Sequence, residues 1–351
     1  MTRASRRKLL VPALFLSLFL SPLTAEEKRE LAAEECGRFV VTRQGEVVFL
    51  AEGDAAVREV EDLDPYRAPR WLPDGRNVVV WNRQGERINV SPYENPSRET
   101  LEEAMGTQDA FSFVSPDGGL RVYVDQGKLV FHDGKTGFRA THKQAPMPEI
   151  EPEFSSSNRY VKYAAGGRAY MYDREENKHS MLPKWIVPDA PIRWAPHKDL
   201  FLVHDGGKLG LLVMAPDGRF KKITDKVFSH FSWASESGAV VYVAPSPKKL
   251  YGSDVYLYGL ADGATSRAGG LKTKNVTFLG TTPHGSHLVY LLHPGPLHKT
   301  ISLNAAPVLK AFDLAAGKSV AVADVPRGTA FLSWWSGRED AAVPLFTAQG
   351  D

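Results

Sequence analysis

The sequence predicts an all-β chain: a β-propeller of seven blades by count, with six or eight as the alternatives, each of four antiparallel strands, and with the ring closed by its N- and C-terminal strands. Three observations lead there. A unit made of an apolar residue, a turn rich in Pro, Ser, Asp and Gly, and a β-branched run recurs at roughly 40-residue intervals through the middle of the chain. Further short strand-like runs follow each recurrence, separated by Gly-containing turns. The chain also begins with strands that lack a leading turn and ends on a unit that lacks its later strands. A period near 40 residues with four short strands per repeat is the pattern of a propeller blade.

Taken in order, residues 1–25 stand apart from the fold. Arg3, Arg6, Arg7 and Lys8 precede an apolar run from Leu9 to Leu20, and Ser21-Pro22-Leu23-Thr24-Ala25 ends it before Glu26. This is the charged, apolar, small-residue order of a secretory signal, with cleavage expected after Ala25. The run is too short for a transmembrane anchor. Ser5-Arg6-Arg7-Lys8-Leu9-Leu10 also resembles a twin-arginine signal, but so hydrophobic a run favours the general secretory route. The expected location is the periplasm or the exterior.

Residues 26–37 form a charged arm, Glu26 to Glu35 followed by Cys36. Cys36 is the only cysteine, which excludes an internal disulfide and any multi-cysteine metal site. Its distance from the apolar run and the preceding Glu34 and Glu35 argue against lipidation. The chain has 43 basic and 41 acidic residues; the leader holds four basic and no acidic ones, so the mature chain stands at 39 against 41, or −2. That balance, with no basic block, argues against nucleic acid and anionic membrane surfaces as partners.

Residues 38–351 are expected to be one propeller domain. The clearest turn units are Trp71-Leu-Pro-Asp-Gly75 before Val78–Trp81 and Val114-Ser-Pro-Asp-Gly118 before Val122–Val124. Looser copies start at Phe154, Trp194, Trp233 and Thr281, and the last at Trp334. Pro sets φ, Asp caps the turn with its carboxylate, and Gly takes a positive φ. Later strands of the blades are read in Lys128–Asp133, Ala169–Asp173, Leu209–Val213, Asp254–Tyr258 and Val308–Asp313. At the ends, Phe39–Thr42, Glu46–Leu50 and Ala56–Val60 have no leading turn, whereas Phe331–Trp335 begins a blade that runs out. Joining them makes one composite blade and removes exposed edges.

These units resemble the TolB-type propeller repeat, also called WD40-like or PD40, in which an aromatic residue and Ser-Pro-Asp-Gly precede a strand. Val114–Gly118 and Trp71–Gly75 carry the resemblance, which extends over nearly all of the mature chain. It implies a bacterial exported propeller that binds protein in the cell envelope. The separate α/β domain of periplasmic TolB has no room here, so a role in the Tol system does not carry over.

No catalytic, cofactor-binding or metal-binding residue is assigned. His284, His287, His293 and His298 lie within 15 residues, but a turn or loop explains each of them. His197 occupies a turn in the same way, and His204-Asp205 follows a strand as a minor candidate facing the channel. A Gly-x-Ser-x-Gly elbow and glycine-rich phosphate loops are absent. Trp71, Trp194, Trp233 and Trp334 sit at the repeat position and are expected to pack between blades. Trp81, Trp185 and Trp335 are off that register and are the better candidates for an interaction surface. Asn275-Val276-Thr277 is a glycosylation sequon with no bearing in a bacterium. The expected function is a non-enzymatic, monomeric, exported scaffold that needs no cofactor and binds an envelope protein. The alternative is a propeller enzyme or sensor, of a saccharide lyase or hydrolase type, with a small-molecule or metal site in the central channel.

Overall fold

Short β-branched and aromatic runs pair with their chain neighbours into seven antiparallel sheets, which a computed structural model arranges as a seven-bladed β-propeller. The described residues are 37–50, 56–71, 76–93, 113–142, 152–190, 192–205, 209–226, 228–248, 252–272, 275–293, 306–327, 329–335 and 340–344. The chain divides into two units, Met1–Glu30 and Leu31–Asp351, and every described residue belongs to the second. The leader, Cys36, the Leu72–Gly75 turn and His298 lie outside the described residues.

Strands β1 (Arg38–Arg43), β2 (Glu46–Phe49) and β3 (Ala56–Glu59) open the chain. Blade II follows with β4 (Arg70–Trp71), β5 (Val78–Trp81) and β6 (Arg87–Val90), three strands among the described residues. Blade III is β7 (Phe113–Val114), β8 (Leu120–Asp125), β9 (Lys128–Asp133) and β10 (Arg139–His142); blade IV is β11 (Glu153–Phe154), β12 (Tyr160–Ala165), β13 (Arg168–Asp173) and β14 (Lys178–Met181). Blade V holds β15 (Ile192–Trp194), β16 (Phe201–His204), β17 (Leu211–Met214) and β18 (Phe220–Thr224). Blade VI holds β19 (His230–Ala234), β20 (Ala239–Pro245), β21 (Ser253–Gly259) and β22 (Thr265–Leu271). Blade VII is β23 (Val276–Thr281), β24 (His287–Leu292), β25 (Val308–Asp313) and β26 (Lys318–Asp324), and the chain closes on β27 (Phe331–Trp335) and β28 (Asp340–Pro344).

Ring closure follows the expectation. β27 pairs with β1 from Arg38↔Trp335 to Thr42↔Phe331, so blade I combines both ends of the chain. One strand was not foreseen: the last unit does not stop at Trp335 but continues into β28, making blade I five-stranded in the order β28-β27-β1-β2-β3. Because β1 already holds one edge of β27, the following strand goes to the other.

The apolar core lies between the blades. Phe39 and Val41 pack with Leu279, Val289 and Leu291 of blade VII, while Val40 between them packs with Trp71, Val78 and Val80 of blade II. β13 divides likewise, Tyr172 joining the cluster with blade III and Met171 the cluster with blade V. Burial on both faces is why these strands read as continuous apolar runs. The outer strands instead meet solvent on much of their length, as in β14 and β26. Inner strands of neighbouring blades come close to one another, β19 to β23 and β27 to β4, as they must around a central channel.

The turn unit behaves as its residues dictate. Ser115 Oγ accepts the Leu120 amide at 2.9 Å, Asp117 Oδ1 accepts the Gly119 amide at 3.0 Å, and Gly118 takes φ +68°. Ser155 repeats the first contact with the Tyr160 amide at 3.0 Å, with Asn158 at φ +58° in the glycine's role.

Candidate interaction surface

The histidines singled out by spacing are not brought together. His284 is exposed on the turn between β23 and β24, and the side chain of His287 meets Ser286 Oγ at 2.9 Å. His293 stands past the far end of β24, where its Nε2 meets Thr277 Oγ1 at 2.8 Å. Six residues of extended strand separate His287 from His293, roughly 20 Å at about 3.3 Å per residue. His204 closes β16, the second strand of its blade and not the innermost, with its ring edge-on to Phe228 at 4.6 Å. Both Asp205 carboxylate oxygens accept backbone amides, from Leu209 and Gly210, so the aspartate shapes a loop. No group of three or more His, Cys, Asp or Glu with metal-site geometry occurs among the described residues.

Two arrangements escaped the sequence reading, one between blades and one within a blade. His142 of β10 and His179 of β14 meet across the blade III–IV junction with ring centroids 5.7 Å apart, beside Phe131, Tyr163 and Tyr172. The Tyr163 hydroxyl lies 2.9 Å from His179 Nδ1. Burial, with His142 as a lesser cause, pushes His179 down to about 4, and burial lowers His142 too, so both are neutral at pH 7. In blade IV, Lys162 is 2% exposed and holds Glu153 at 2.7 Å while donating to the Ala190 carbonyl at 2.8 Å. Burial raises the Glu153 carboxyl despite that ammonium.

The repeat-position tryptophans pack as the period requires. Trp334 is fully buried, Trp71 lies edge-on to Phe49 at 5.9 Å, Trp194 edge-on to Phe201 at 5.2 Å, and Trp233 Nε1 donates to the Arg193 carbonyl at 2.7 Å. Trp81 ends β5 half-buried. Trp335 pairs with Arg38 and Asp340 through the backbone of β27.

Trp185 is different. It lies in the segment between β14 and β15, where Leu182, Ile186 and Ala190 turn inward to the core between blades IV and V. Trp185 packs half-buried against that core, with its ring edge-on to Phe220 at 5.5 Å, and Phe220 opens the outermost strand of blade V. Met181, Val187 and Phe220 are 53%, 49% and 48% exposed, so large apolar side chains reach water in the segments that carry Trp185 and its ring partner. Lys184, Asp189, Asp217, Arg219, Lys221 and Lys222 supply exposed charge of both signs in the same segments. An apolar centre with a Trp anchor and a mixed polar rim is the anatomy of a protein-binding surface.

A seven-bladed β-propeller is the class of molecule that these features define. No protein-family model matches the chain, and no curated protein matches it by sequence. Solved structures do. An oligogalacturonate lyase in complex with manganese is 13% identical over 87% of this chain and 96% of its own, with a TM-score of 0.51. The oligogalacturonate lyase of Vibrio parahaemolyticus is 12% identical over 87% and 97%, with a TM-score of 0.53. TolB from Acinetobacter baumannii is 14% identical over 83% of this chain and 64% of its own, at a TM-score of 0.43. At these identities the two lyases establish the propeller fold and nothing of activity.

Proposed function

We propose that this chain is an exported propeller that binds a protein partner in the bacterial envelope through the Met181–Trp185–Val187–Phe220 surface. The observation that carries the reading is the exposure of Met181, Val187 and Phe220 in the segments beside a tryptophan held by the inter-blade core, with Phe220 against its ring. Export rests on the leader at residues 1–25, and the scaffold role on the resemblance of the turn units to the TolB-type repeat. No helix among the described residues is long and apolar enough to cross a membrane.

The test is site-specific photocrosslinking in the producing cell. A photoreactive residue at Val187 or Phe220 should trap one defined protein, and the same residue at exposed Phe138, on blade III, should not. Identical products from both blades, or none from the patch, would refute the surface. The alternative, a channel-centred enzyme or sensor, has a likeness of fold behind it. A stoichiometric metal in the purified mature protein would favour it over the scaffold.

A further inference from the structure

His142 closes β10 and His179 lies in β14, the outermost strands of blades III and IV. Their ring centroids stand 5.7 Å apart across the blade junction. Aromatic rings wall the pair: Tyr170 is 4.6 Å from His142, and Tyr172 and Phe131 are 4.8 and 5.1 Å from His179. His142 Nδ1 and His179 Nε2 are both buried, and neither has a hydrogen-bond partner. A buried polar atom left unpaired is costly, and two of them on neighbouring imidazoles call for a physical reason.

The other nitrogen of His179 is held, with Nδ1 lying 2.9 Å from the Tyr163 hydroxyl. Tyr163 is buried, and burial raises its hydroxyl, so it stays a neutral phenol. In the tautomer whose Nδ1–H donates to that oxygen, Nε2 keeps a bare lone pair, as in metal-bound imidazoles oriented by a second partner. Burial keeps both rings uncharged at pH 7, the state in which imidazole ligates. With metal–nitrogen bonds of about 2.0 Å, two imidazole centroids sharing one ion stand about 6.3 Å apart in linear ligation and about 5.1 Å apart in tetrahedral ligation. The separation of 5.7 Å falls between the two.

The walls select the ion. Aromatic faces attract a cation, and Asp133, the carboxylate felt most by Tyr172, is already engaged by Arg174. A divalent ion would bring two charges to this aromatic place with no anion to offset them, and the cost of desolvation rises steeply with charge. Imidazole suits copper and zinc, and of these Cu(I) is monovalent and accepts as few as two ligands. We propose that His142 and His179 form a low-coordinate Cu(I) site that pins blade III to blade IV, with Tyr163 as the positioning residue for His179. The site lies on outermost strands and not in the channel. It uses none of Met181, Trp185, Val187 and Phe220, and stands or falls independently of that surface.

Cu(I) itself is the probe, supplied without oxygen as its coloured bicinchoninate complex. The full mature chain, in a Cys36→Ser background that removes the one thiol, should withdraw a single equivalent. His142→Ala and His179→Ala should each withdraw none at the chelator concentration where the parent takes its equivalent. Tyr163→Phe keeps both imidazoles and the ring but loses the hydroxyl, and should bind on the order of 10-fold more weakly. X-ray absorption of the loaded parent should show nitrogen neighbours at about 2.0 Å. No withdrawal by the parent overturns the proposal. So does copper that both histidine variants retain, which is what a metal in the channel would give, or Zn2+ held more tightly than Cu(I). If the alanine variants fail to unfold cooperatively, the Tyr163→Phe affinity and the absorption spectrum decide: an unchanged affinity or a sulfur-ligated copper overturns the site.

Discussion

Arg174 follows β13 in blade IV and reaches back to two carboxylates of blade III. Its Nε donates to Asp133 at 2.5 Å and its Nη1 to Asp117 at 3.2 Å. The guanidinium holds Asp133 down at about 2. Burial alone would raise Asp117, but hydrogen bonds from Ser115, the Gly119 amide, Lys135 and Arg174 outweigh it and leave the group below the usual carboxylate range. A turn aspartate thus does more than cap its own turn: it ties one blade to the next. Lys162 is the more costly case. Lys162→Met leaves Glu153 raised by burial and without its ammonium, and about 2 kcal/mol should be lost. That is less than the roughly 3–5 kcal/mol of a fully buried broken pair, because the Glu153 side chain is 31% exposed and partly screened by water. Chemical denaturation of the two proteins measures it.

The histidines set an acid limit. Burial lowers His142, lowers His179 to about 4 and, with a lesser contribution from Arg193, lowers His230 to about 3. Unfolded, such groups titrate near pH 6.5. The folded state therefore binds fewer protons, and the stability these neutral rings contribute is present above about pH 6.5 and lost as the pH falls toward 4. Thermal unfolding should show Tm falling between pH 6.5 and 4.5, and His179→Gln should flatten that fall. An unchanged slope would remove His179 from the account. Asp117 and Asp133 act lower, below about pH 4, where unfolded carboxylates protonate.

Whole strands answer to both of their faces. β22 runs along the outside of blade VI, where Gly269 approaches the blade VII turn so closely that a Cβ would stand 2.8 Å from Phe312 Cζ and 3.0 Å from the Gly317 carbonyl. Gly317 itself is at φ +67°. Gly269→Ala should therefore cost about 1–3 kcal/mol as an overpacked contact, read as a lower denaturation midpoint with the unfolding slope unchanged. The histidines of blade VII make the opposite point. Their nearness in sequence promised a cluster, but β24 is extended and carries His287 and His293 apart. The rings that do meet, His142 and His179, are 37 positions apart and join because outer strands of adjacent blades face each other.

At the scale of the molecule, the proposed secretory role of residues 1–25 and the closed ring make a joint prediction. Protein recovered from the envelope should begin at Glu26 by N-terminal sequencing and run as a monomer of the mature mass on calibrated light scattering. An intact Met1 or a stable dimer would contradict it. The ring itself was legible in advance, since each blade unit declares its turn and strands within a few residues. Asp117 and Gly118 occupy their turn positions on local conformational grounds, and strands buried on both faces look apolar without interruption. Closure was legible as well, because leaderless strands at one end complement an unfinished unit at the other. Trp185 could be marked as out of register with the repeat, though nothing local showed that its ring would meet Phe220 of the next blade.

Short-range chemistry was sufficient for turns, strands, blade number and the joining of the two ends, because each depends on residues a few positions apart or on a repeat that can be counted. Edge choice, exposure and the meeting of distant rings depended on occupancy in three dimensions. β28 pairs with the channel side of β27 because β1 already fills the other side. Phe220 is exposed because the blade IV–V core is filled by Ile186, Leu212 and Met214. Such outcomes follow from which partner holds each surface once the ring has formed, and no stretch of a few residues encodes that.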